Sequence, residues 1–367
     1  MDRRKATLGG AGIGVVAGVV GLVVLAAPAG AGPAPSLPSI TPQALVQSVL
    51  TTSVPSMSGT VAIDNNLGLP AVPGIPELAN GTSQLRVWSD GTGRTRLSIP
   101  TTSSEQTYVD DGTTIYSWDS SDRTVTESPA PKEHAQHKAS SAPLGSGTPT
   151  DPASLAKQLV SALQNSSNIS VGGTDTVAGQ PAYDLVLTPK ANQRTLLREV
   201  KIDIDANKHI PLQLTVLGDN SSTPAIQVGF SSIDYGPQQA SLFTFTPPAG
   251  ATVNKKTDSG KPDNAGKAQQ DAQKLAPKVV GSGWDTVAII TLPTSTQQPS
   301  SGTGSAKDGM DGNPLSLARE FGTPVSGSWG SGWAIGTSVG TAVITSDGRV
   351  AVGLVPQQVL TEDLGSK

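Results

Sequence analysis

The sequence contains no cysteine. Disulfides, cysteine-ligated metals, iron–sulfur clusters and thiol nucleophiles are therefore excluded. Aromatic residues make up only 4% of the 367 residues, and 25 basic side chains are balanced by 29 acidic ones. This balance gives no electrostatic basis for binding nucleic acid. The 41 glycines and 29 prolines favour short strands and turns over long helices.

Sequence motifs of catalytic and nucleotide-binding sites are also missing. There is no G-x-S-x-G elbow, no Walker A run and no dinucleotide fingerprint after a strand. His134 and His137, beside Glu133, supply too few ligands for a metal site and lie in a polar loop. No nucleophile–base set and no facing carboxyl pair stands out. The sequence therefore predicts a protein that is not an enzyme and needs neither metal nor cofactor.

The N-terminal residues 1–31 have the pattern of an export segment. Basic residues at positions 3–5 precede an uncharged run over residues 6–31. The small residues at positions 29–31 predict signal cleavage after Ala31. Because the run is also long enough to span a bilayer, a retained membrane anchor is the alternative. Either interpretation predicts that the rest of the chain is secreted or lies on the extracytoplasmic face of a bacterial plasma membrane.

Changes in composition predict the division of the remaining chain. A Pro/Ala/Ser-rich spacer covers residues 32–40, and a larger domain covers residues 41–253. Polar residues 254–278 form a linker, and a small β-rich domain covers residues 279–362. The C-terminal domain is near the lower size limit for an independent core, so we expect it to rest on the larger domain or on a partner.

Local patterns predict two helices and many strands in the larger domain. Thr41 and Pro42 fit the N-cap and first residue of a helix that runs to about Thr52. A second helix is expected from about Pro152 to about Asn165. The alternation of apolar and polar residues elsewhere predicts an antiparallel sheet with one apolar and one wet face.

Charged side chains are assigned to the wet face of this sheet. On the strand Glu199–Asp205, the alternation places Glu199, Lys201, Asp203 and Asp205 on the solvated side. In the C-terminal domain we expect a strand over Trp284–Leu292 and a short helix over Pro314–Phe321.

A long apolar insertion separates two of the predicted strands. Residues 65–81 contain three prolines and five large apolar side chains: Leu67, Leu69, Val72, Ile75 and Leu78. Exposed apolar surface often marks a binding site, so these residues are candidates for a lid over an apolar cleft. The alternative is a loop that packs down on the sheet.

Four segments in a fixed order carry a family resemblance. They are MSGTV at residues 57–61, EQTYVDDGTTIYSWD at 105–119, VAGQPAYDLVLTP at 177–189 and LFTFTPPAG at 242–250. Over residues 41–253 this order resembles the LolA-like superfamily. That superfamily includes outer-membrane lipoprotein carriers, the N-terminal domain of RseB/MucB regulators, and mycobacterial lipid-binding lipoproteins.

The resemblance implies an α+β fold. A curved antiparallel half-barrel sheet would carry helices on its concave face, with a small β-rich C-terminal domain added. It also implies a binding protein with an apolar cavity for acyl chains. The cavity candidates are the apolar strand positions Leu85, Val87, Leu97, Ile99, Leu185, Leu187, Val200, Ile202, Leu212, Leu214, Ile226 and Val228. For each of them, ordinary core beneath the helices is the alternative.

Three functions follow from these observations. The first is an envelope protein that binds a lipid or a lipidated protein and carries or presents it. The second is an RseB-like regulator that binds a membrane-bound anti-sigma factor and contacts the membrane through an uncleaved N-terminal segment. The third is a structural envelope module with a filled core and no ligand. The positively charged lid contact of the carriers has no matching position in this sequence.

Overall fold

The computed structural model describes residues 34–68, 80–101, 103–130, 152–219, 221–255, 277–291 and 314–366. The predicted export segment with Ala31, and the pair His134 and His137, lie outside these residues. Within the described ranges, no helix is both long enough and apolar enough to cross a bilayer.

A twelve-stranded sheet forms the larger domain. Its strands are β1 (Ser56–Asn65), β2 (Gly81–Asp90), β3 (Thr95–Pro100), β4 (Glu105–Asp110), β5 (Thr114–Asp119), β6 (Thr124–Pro129), β7 (Ser167–Val177), β8 (Gln180–Pro189), β9 (Leu197–Asp205), β10 (Pro211–Gly218), β11 (Ile226–Tyr235) and β12 (Thr252–Lys255). Their spatial order is β12-β6-β5-β4-β3-β2-β1-β11-β10-β9-β8-β7.

The sheet consists of two antiparallel meanders. One runs from β1 to β6 and the other from β7 to β11, and they join where β1 pairs with β11. β12 pairs with β6 in parallel and extends the sheet at that edge. The turn residues Gly91 and Gly112 have positive φ angles of 80° and 92°. Glycine adopts these angles without steric strain, so tight hairpins form between β2 and β3 and between β4 and β5.

Two helices cover one face of the sheet, which we call the inner face. α1 (Pro42–Thr51) begins at Thr41, whose side chain accepts a hydrogen bond from the Ala44 amide. α2 (Pro152–Leu163) ends one turn before β7 and is followed by a 3-10 helix over Gln164–Ser166. α1 packs on β7 and β8, and α2 packs on β10 and β11. The Lys157 ammonium donates to the Thr52 carbonyl and so connects the two helices.

The opposite, outer face is partly covered by the chain that follows β11. The 3-10 helix Ala240–Phe243 packs on β3, and Phe243 is fully buried. Phe245 lies against Tyr116, with ring centroids 5.4 Å apart. Val109 and Val125, which the pairing places on the outer face, are also fully buried. The outer face of β3–β6 is therefore a second layer of core.

The C-terminal unit (residues 277–291 and 314–366) forms a separate sheet of six strands. They are β13 (Lys278–Val280), β14 (Val287–Thr291), β15 (Thr323–Gly327), β16 (Gly330–Gly336), β17 (Thr341–Thr345) and β18 (Arg349–Gly353), in the order β13-β14-β18-β17-β16-β15. α3 (Pro314–Phe321) packs on β16 and β17 of this sheet. α4 (Gln357–Gly365) covers β14, β17 and β18, and Val359 and Leu360 complete the core there.

The start of the C-terminal unit differs from the predicted strand over Trp284–Leu292. Residues Gly283–Asp285 form a 3-10 helix, and the strand begins only at Val287. Ser282 and Asp285 explain the difference, because each side chain bonds the other residue's backbone amide in a capping box. Trp284 is therefore turned away from the C-terminal sheet.

The predicted fold class is confirmed. The described residues form an open, largely antiparallel sheet with helices on one face, together with a separate small β-rich unit. The described strands of the larger domain end at Lys255, two residues beyond the predicted domain boundary.

Candidate functional site

The inner face is a continuous apolar surface across both meanders. Strand pairing places Val61 opposite Leu85, Val87 opposite Leu97, and Leu214 opposite Ile202. Because directly paired residues point to the same side of a sheet, these side chains form rows on one face, and the rows of β8–β11 lie beneath α1 and α2. The alternation of apolar residues in the sequence predicts that Leu85, Val87, Leu97, Ile202 and Leu214 lie on an apolar face, and the structure places them on this one.

The twelve predicted cavity residues all lie on this inner face. They divide between two clusters of buried side chains. The first contains the helices and Leu185, Leu187, Val200, Ile202 and Leu214. The second contains Leu85, Val87, Leu97, Leu212 and Val228, with Ile99 and Ile226 partly buried beside it. Helix side chains such as Val49 and Val160 contact the first cluster.

The part of the inner face that is formed by β3–β6 is less deeply buried than the part beneath the helices. Ile99, Tyr108, Ile115 and Ser117 are half-buried, and the pairing of β3, β4 and β5 places them on the same side as Leu97. Ile99 and Tyr108 border the second apolar cluster. This end therefore offers apolar and hydroxyl groups that continue outward from the core.

The chain before α1 also packs on the inner face. Leu37 and Ile40 contact the first apolar cluster. The Pro35 carbonyl accepts a hydrogen bond of 2.8 Å from the Thr174 hydroxyl. The Pro38 carbonyl accepts another of 2.8 Å from the Tyr183 hydroxyl. The predicted spacer is thus fastened to β7 and β8.

Of the predicted lid residues, Leu67 is described, whereas Leu69, Val72, Ile75 and Leu78 lie outside the described residues. Leu67 is partly buried and packs against the first apolar cluster. Its amide donates to the Asn65 side chain, and its carbonyl accepts from the Ser338 amide of the C-terminal unit. The base of the insertion therefore lies at the margin of the inner face.

Two surface cavities lie away from these residues. One, of about 280 Å³, is lined by the β8–β9 connection and includes Lys190 and Arg198. The other, of about 190 Å³, lies in the C-terminal unit beside Lys278, Arg349 and Asp363. The first is lined mainly by polar surface, and the second combines Ile289 and Leu364 with charged side chains, so neither is an apolar cleft.

The outer face of β8–β10 carries a charged cluster that the sequence pattern did not predict. Carboxylate oxygens of Asp175, Asp184 and Asp203 lie within 4.8 Å of one another. The Lys201 ammonium lies 3.0 Å from Asp184, 3.4 Å from Asp203 and 3.7 Å from Asp175. The ammonium thus supplies the positive charge that a metal ion would supply among such carboxylates.

The prediction that Asp203 and Asp205 are solvated is wrong, because both side chains are fully buried. Asp203 accepts a hydrogen bond from the Gln213 amide group at 3.1 Å. Asp205 accepts hydrogen bonds from the Asn207 and Lys208 amides and from the Tyr235 hydroxyl. Alternation of residues along a strand shows which side chains share a face. It does not show that partners from other strands and turns bury Asp203 and Asp205.

Burial and neighbouring charges shift the ionisation of this cluster. Burial, together with the neighbouring carboxyl group of Asp184, raises the pKa of Asp203 to about 7, against the opposing charge of Lys201. Although burial acts to lower it, the charges of Asp203 and Asp184 raise the pKa of Lys201 above its ordinary value. The buried carboxyl group of Asp203 is therefore uncharged in mildly acidic solution.

Comparison with known proteins gives a family match and several structural likenesses. The family described as "Predicted periplasmic protein (DUF2092)" matches residues 77–254, slightly under half of the chain. This description agrees with the extracytoplasmic location that the N-terminal sequence predicts. No curated protein matches the sequence significantly.

Among solved structures, the chain is similar to MucB in the MucA/MucB complex of Pseudomonas aeruginosa. The identity is 16%, the TM-score is 0.42, and the match covers 88% of this chain and 95% of the other. A LolA superfamily protein from Nitrosomonas europaea matches with 11% identity and a TM-score of 0.26, over 56% of this chain and 99% of its own. The predicted resemblance to MucB-like and LolA-like proteins is thus found again among solved structures.

Proposed function

We propose that the protein binds a lipid, or the acyl chains of a lipidated protein, on the inner face of its large sheet. It then carries or presents this ligand outside the cytoplasm. The observation that supports this function is the inner face itself. Its apolar rows continue through both meanders and extend past the helices to the half-buried residues Ile99, Tyr108 and Ile115.

The acyl chain would enter at the β3–β6 end and extend beneath α1 and α2. These helices have only 10 and 12 residues, so part of the inner face extends beyond them. Burial of apolar groups contributes about 0.8 kcal/mol per methylene. A sixteen-carbon chain would then supply on the order of 10 kcal/mol before the costs of ordering the ligand and moving the helices.

Mass spectrometry of the purified protein tests this function. Full-length protein produced in a bacterial host is examined by native mass spectrometry, and its organic extract is analysed for lipids. We expect stoichiometric lipid, whose class then identifies the ligand. A protein that carries no lipid after repeated purifications, and that does not take up a fluorescent fatty acid, would contradict the proposal.

A charge on the inner face should block uptake. We expect Ile115→Glu to lower the affinity for a fluorescent fatty acid at least tenfold, because a carboxylate beside buried methylenes loses its hydration. Thr114→Glu is the matched control, because Thr114 precedes Ile115 on β5 and points to the outer face. Titration of the fatty acid into each protein measures the effect. Equal affinities in the two variants would show that the ligand does not lie on the inner face.

The second candidate function is a regulator that binds a membrane-bound anti-sigma factor. An apolar row on the C-terminal sheet favours it. Val279 and Val352 are each 43% exposed on the sheet face that α3 only partly covers, and Leu354, just after β18, is 38% exposed. Such exposed rows often mark protein contacts.

A substitution in this row separates the two functions. In a binding assay with the extracytoplasmic segment of an anti-sigma factor from the same organism, we expect Val352→Glu to weaken binding at least tenfold. The same variant should take up fatty acid like the wild type. Thr323→Glu, on the exposed edge strand β15, is the control. No binding of the segment by the wild type would remove this candidate.

A further inference from the structure

The C-terminal unit inserts a tryptophan beneath the helices of the larger domain. Trp284 is only 2% exposed and belongs to the same buried cluster as Leu45 and Val160. Its indole Nε1 donates to the Ser167 Oγ at 2.8 Å, and its backbone amide donates to the Gln193 Oε1 at 2.9 Å. The C-terminal unit thus contributes directly to the core of the other domain.

This contact leads to the end of the covering helix α2. The Ser167 Oγ that accepts from Trp284 donates in turn to the Leu163 carbonyl at 2.7 Å. Leu163 is the last residue of α2, and the final carbonyls of a helix have no partner within the helix. A buried chain of two hydrogen bonds therefore ties the C-terminal unit to α2.

A second contact reaches the base of the apolar insertion. Val339 is 2% exposed and packs in the same cluster as Trp284. The neighbouring Ser338 amide donates to the Leu67 carbonyl at 3.2 Å. A third contact joins the β8–β9 connection to this unit, where the Leu354 carbonyl accepts from the Leu196 amide at 3.0 Å and from the Thr195 hydroxyl at 2.6 Å. The pair Arg194–Glu362 lies at the surface, where an ion pair contributes little. The attachments within the buried apolar cluster are those of Trp284 and Val339.

We propose that the C-terminal unit is a regulatory clamp on the inner face. Trp284 and Val339 hold α2 and the base of the insertion against the sheet. The inner face then opens to an acyl chain only when the C-terminal unit is released from it. This inference rests on the lipid-binding function proposed above and adds its regulation. Because coupling between two sites is reciprocal, a bound acyl chain loosens the clamp, and a loosened clamp admits the chain more readily.

Two glycines of the C-terminal unit provide a matched pair of variants. Gly283 has a φ of +74°, and a Cβ there would overlap the Ser166 side chain of the larger domain. Gly330 has a φ of +117°, but a Cβ there would meet nothing within 4 Å. Both alanine variants strain the backbone, yet only Gly283→Ala pushes the two domains apart. Trp284→Phe, which removes the indole donor, has Trp333→Phe as its control.

Hydrogen exchange of the ligand-free, full-length protein tests the clamp. We expect amides of α2 to exchange at least tenfold faster in Gly283→Ala and Trp284→Phe than in the wild type. The two controls should leave α2 unchanged, and amides of β2 and β3 should be unchanged in all variants. Unaltered α2 exchange in both test variants would overturn the clamp.

Uptake of the fluorescent fatty acid cis-parinaric acid tests the coupling. We expect the uptake rate constant to rise at least fivefold in Gly283→Ala and to stay at the wild-type value in Gly330→Ala. Equal uptake by Gly283→Ala and the wild type would overturn the clamp while leaving lipid binding intact. Absence of uptake by every protein, including the wild type, would overturn the lipid-binding function and the regulatory role together.

Discussion

Replacing Phe243 with alanine is expected to lower the free energy of unfolding by about 3–5 kcal/mol. Phe243 is fully buried on the outer face of the large sheet, where its 3-10 helix packs on β3. The Arg94 guanidinium lies 5.5 Å from the centre of its ring. Alanine would leave a cavity and would also remove this cation–π contact.

Phe245→Ala provides the comparison for this prediction. Phe245 is only half-buried and has one aromatic neighbour, Tyr116. We expect its loss to cost about 1 kcal/mol, because the ring buries less apolar surface and water can reach the space it leaves. Urea titrations of both variants measure the difference. A loss of about 1 kcal/mol or less in Phe243→Ala would show that the segment after β11 is not part of the core.

The protein should lose stability as the pH rises from about 4 to about 7, and Asp203 should be the cause. In the folded state the pKa of Asp203 is raised to about 7 by burial and by Asp184. In the unfolded chain an aspartate titrates near 3.9. Between these values the folded protein holds a proton that the unfolded chain has released, so the free energy of unfolding falls with rising pH.

The variant Asp203→Asn isolates this effect. The amide has the shape of the protonated carboxyl group and cannot ionise. At pH 8 we expect Asp203→Asn to be more stable than the wild type by on the order of 2–4 kcal/mol, and at pH 4.5 to be nearly equal. Asp219→Asn, on the exposed turn after β10, is the control.

Urea titrations of the wild type and both variants between pH 4.5 and 8.5 measure the free energy of unfolding. Asp90 acts at lower pH. Burial raises the pKa of Asp90, but hydrogen bonds from Thr92 and Arg94 outweigh it and lower this pKa to about 2. The stability that Asp90 contributes is lost only below the chosen range. Parallel pH profiles for wild type and Asp203→Asn would contradict the prediction.

The sequence allowed the two helices of the larger domain, its antiparallel sheet and the residues on each sheet face to be predicted. These features depend on neighbours within a few residues, such as the Asp90–Gly91 turn between β2 and β3. The inner face followed from the alternation of apolar residues, and all twelve candidates lie on it.

The segments that cover each face of the large sheet are placed by contacts between residues far apart in the chain. They could therefore not be predicted from the sequence. Phe243 covers strands that precede it by more than a hundred residues. Trp284 bonds to Ser167, 117 positions away. The burial of Asp203 follows from the pairing of β8, β9 and β10, which brings Asp184, Lys201 and Gln213 around it. A pattern of alternating residues contains no information about these partners.

The junction between the two meanders has a consequence for how the chain reaches its fold. Neighbouring strands within each meander pair soon after they are synthesised, because only short connections separate most of them. The junction instead pairs Met57 with Tyr235 and Asn65 with Ile226. Closing such a long loop is slow. In a chain delivered from its N-terminus, the edge of β1 stays unpaired until β11 arrives, and it is exposed to aggregation throughout that interval.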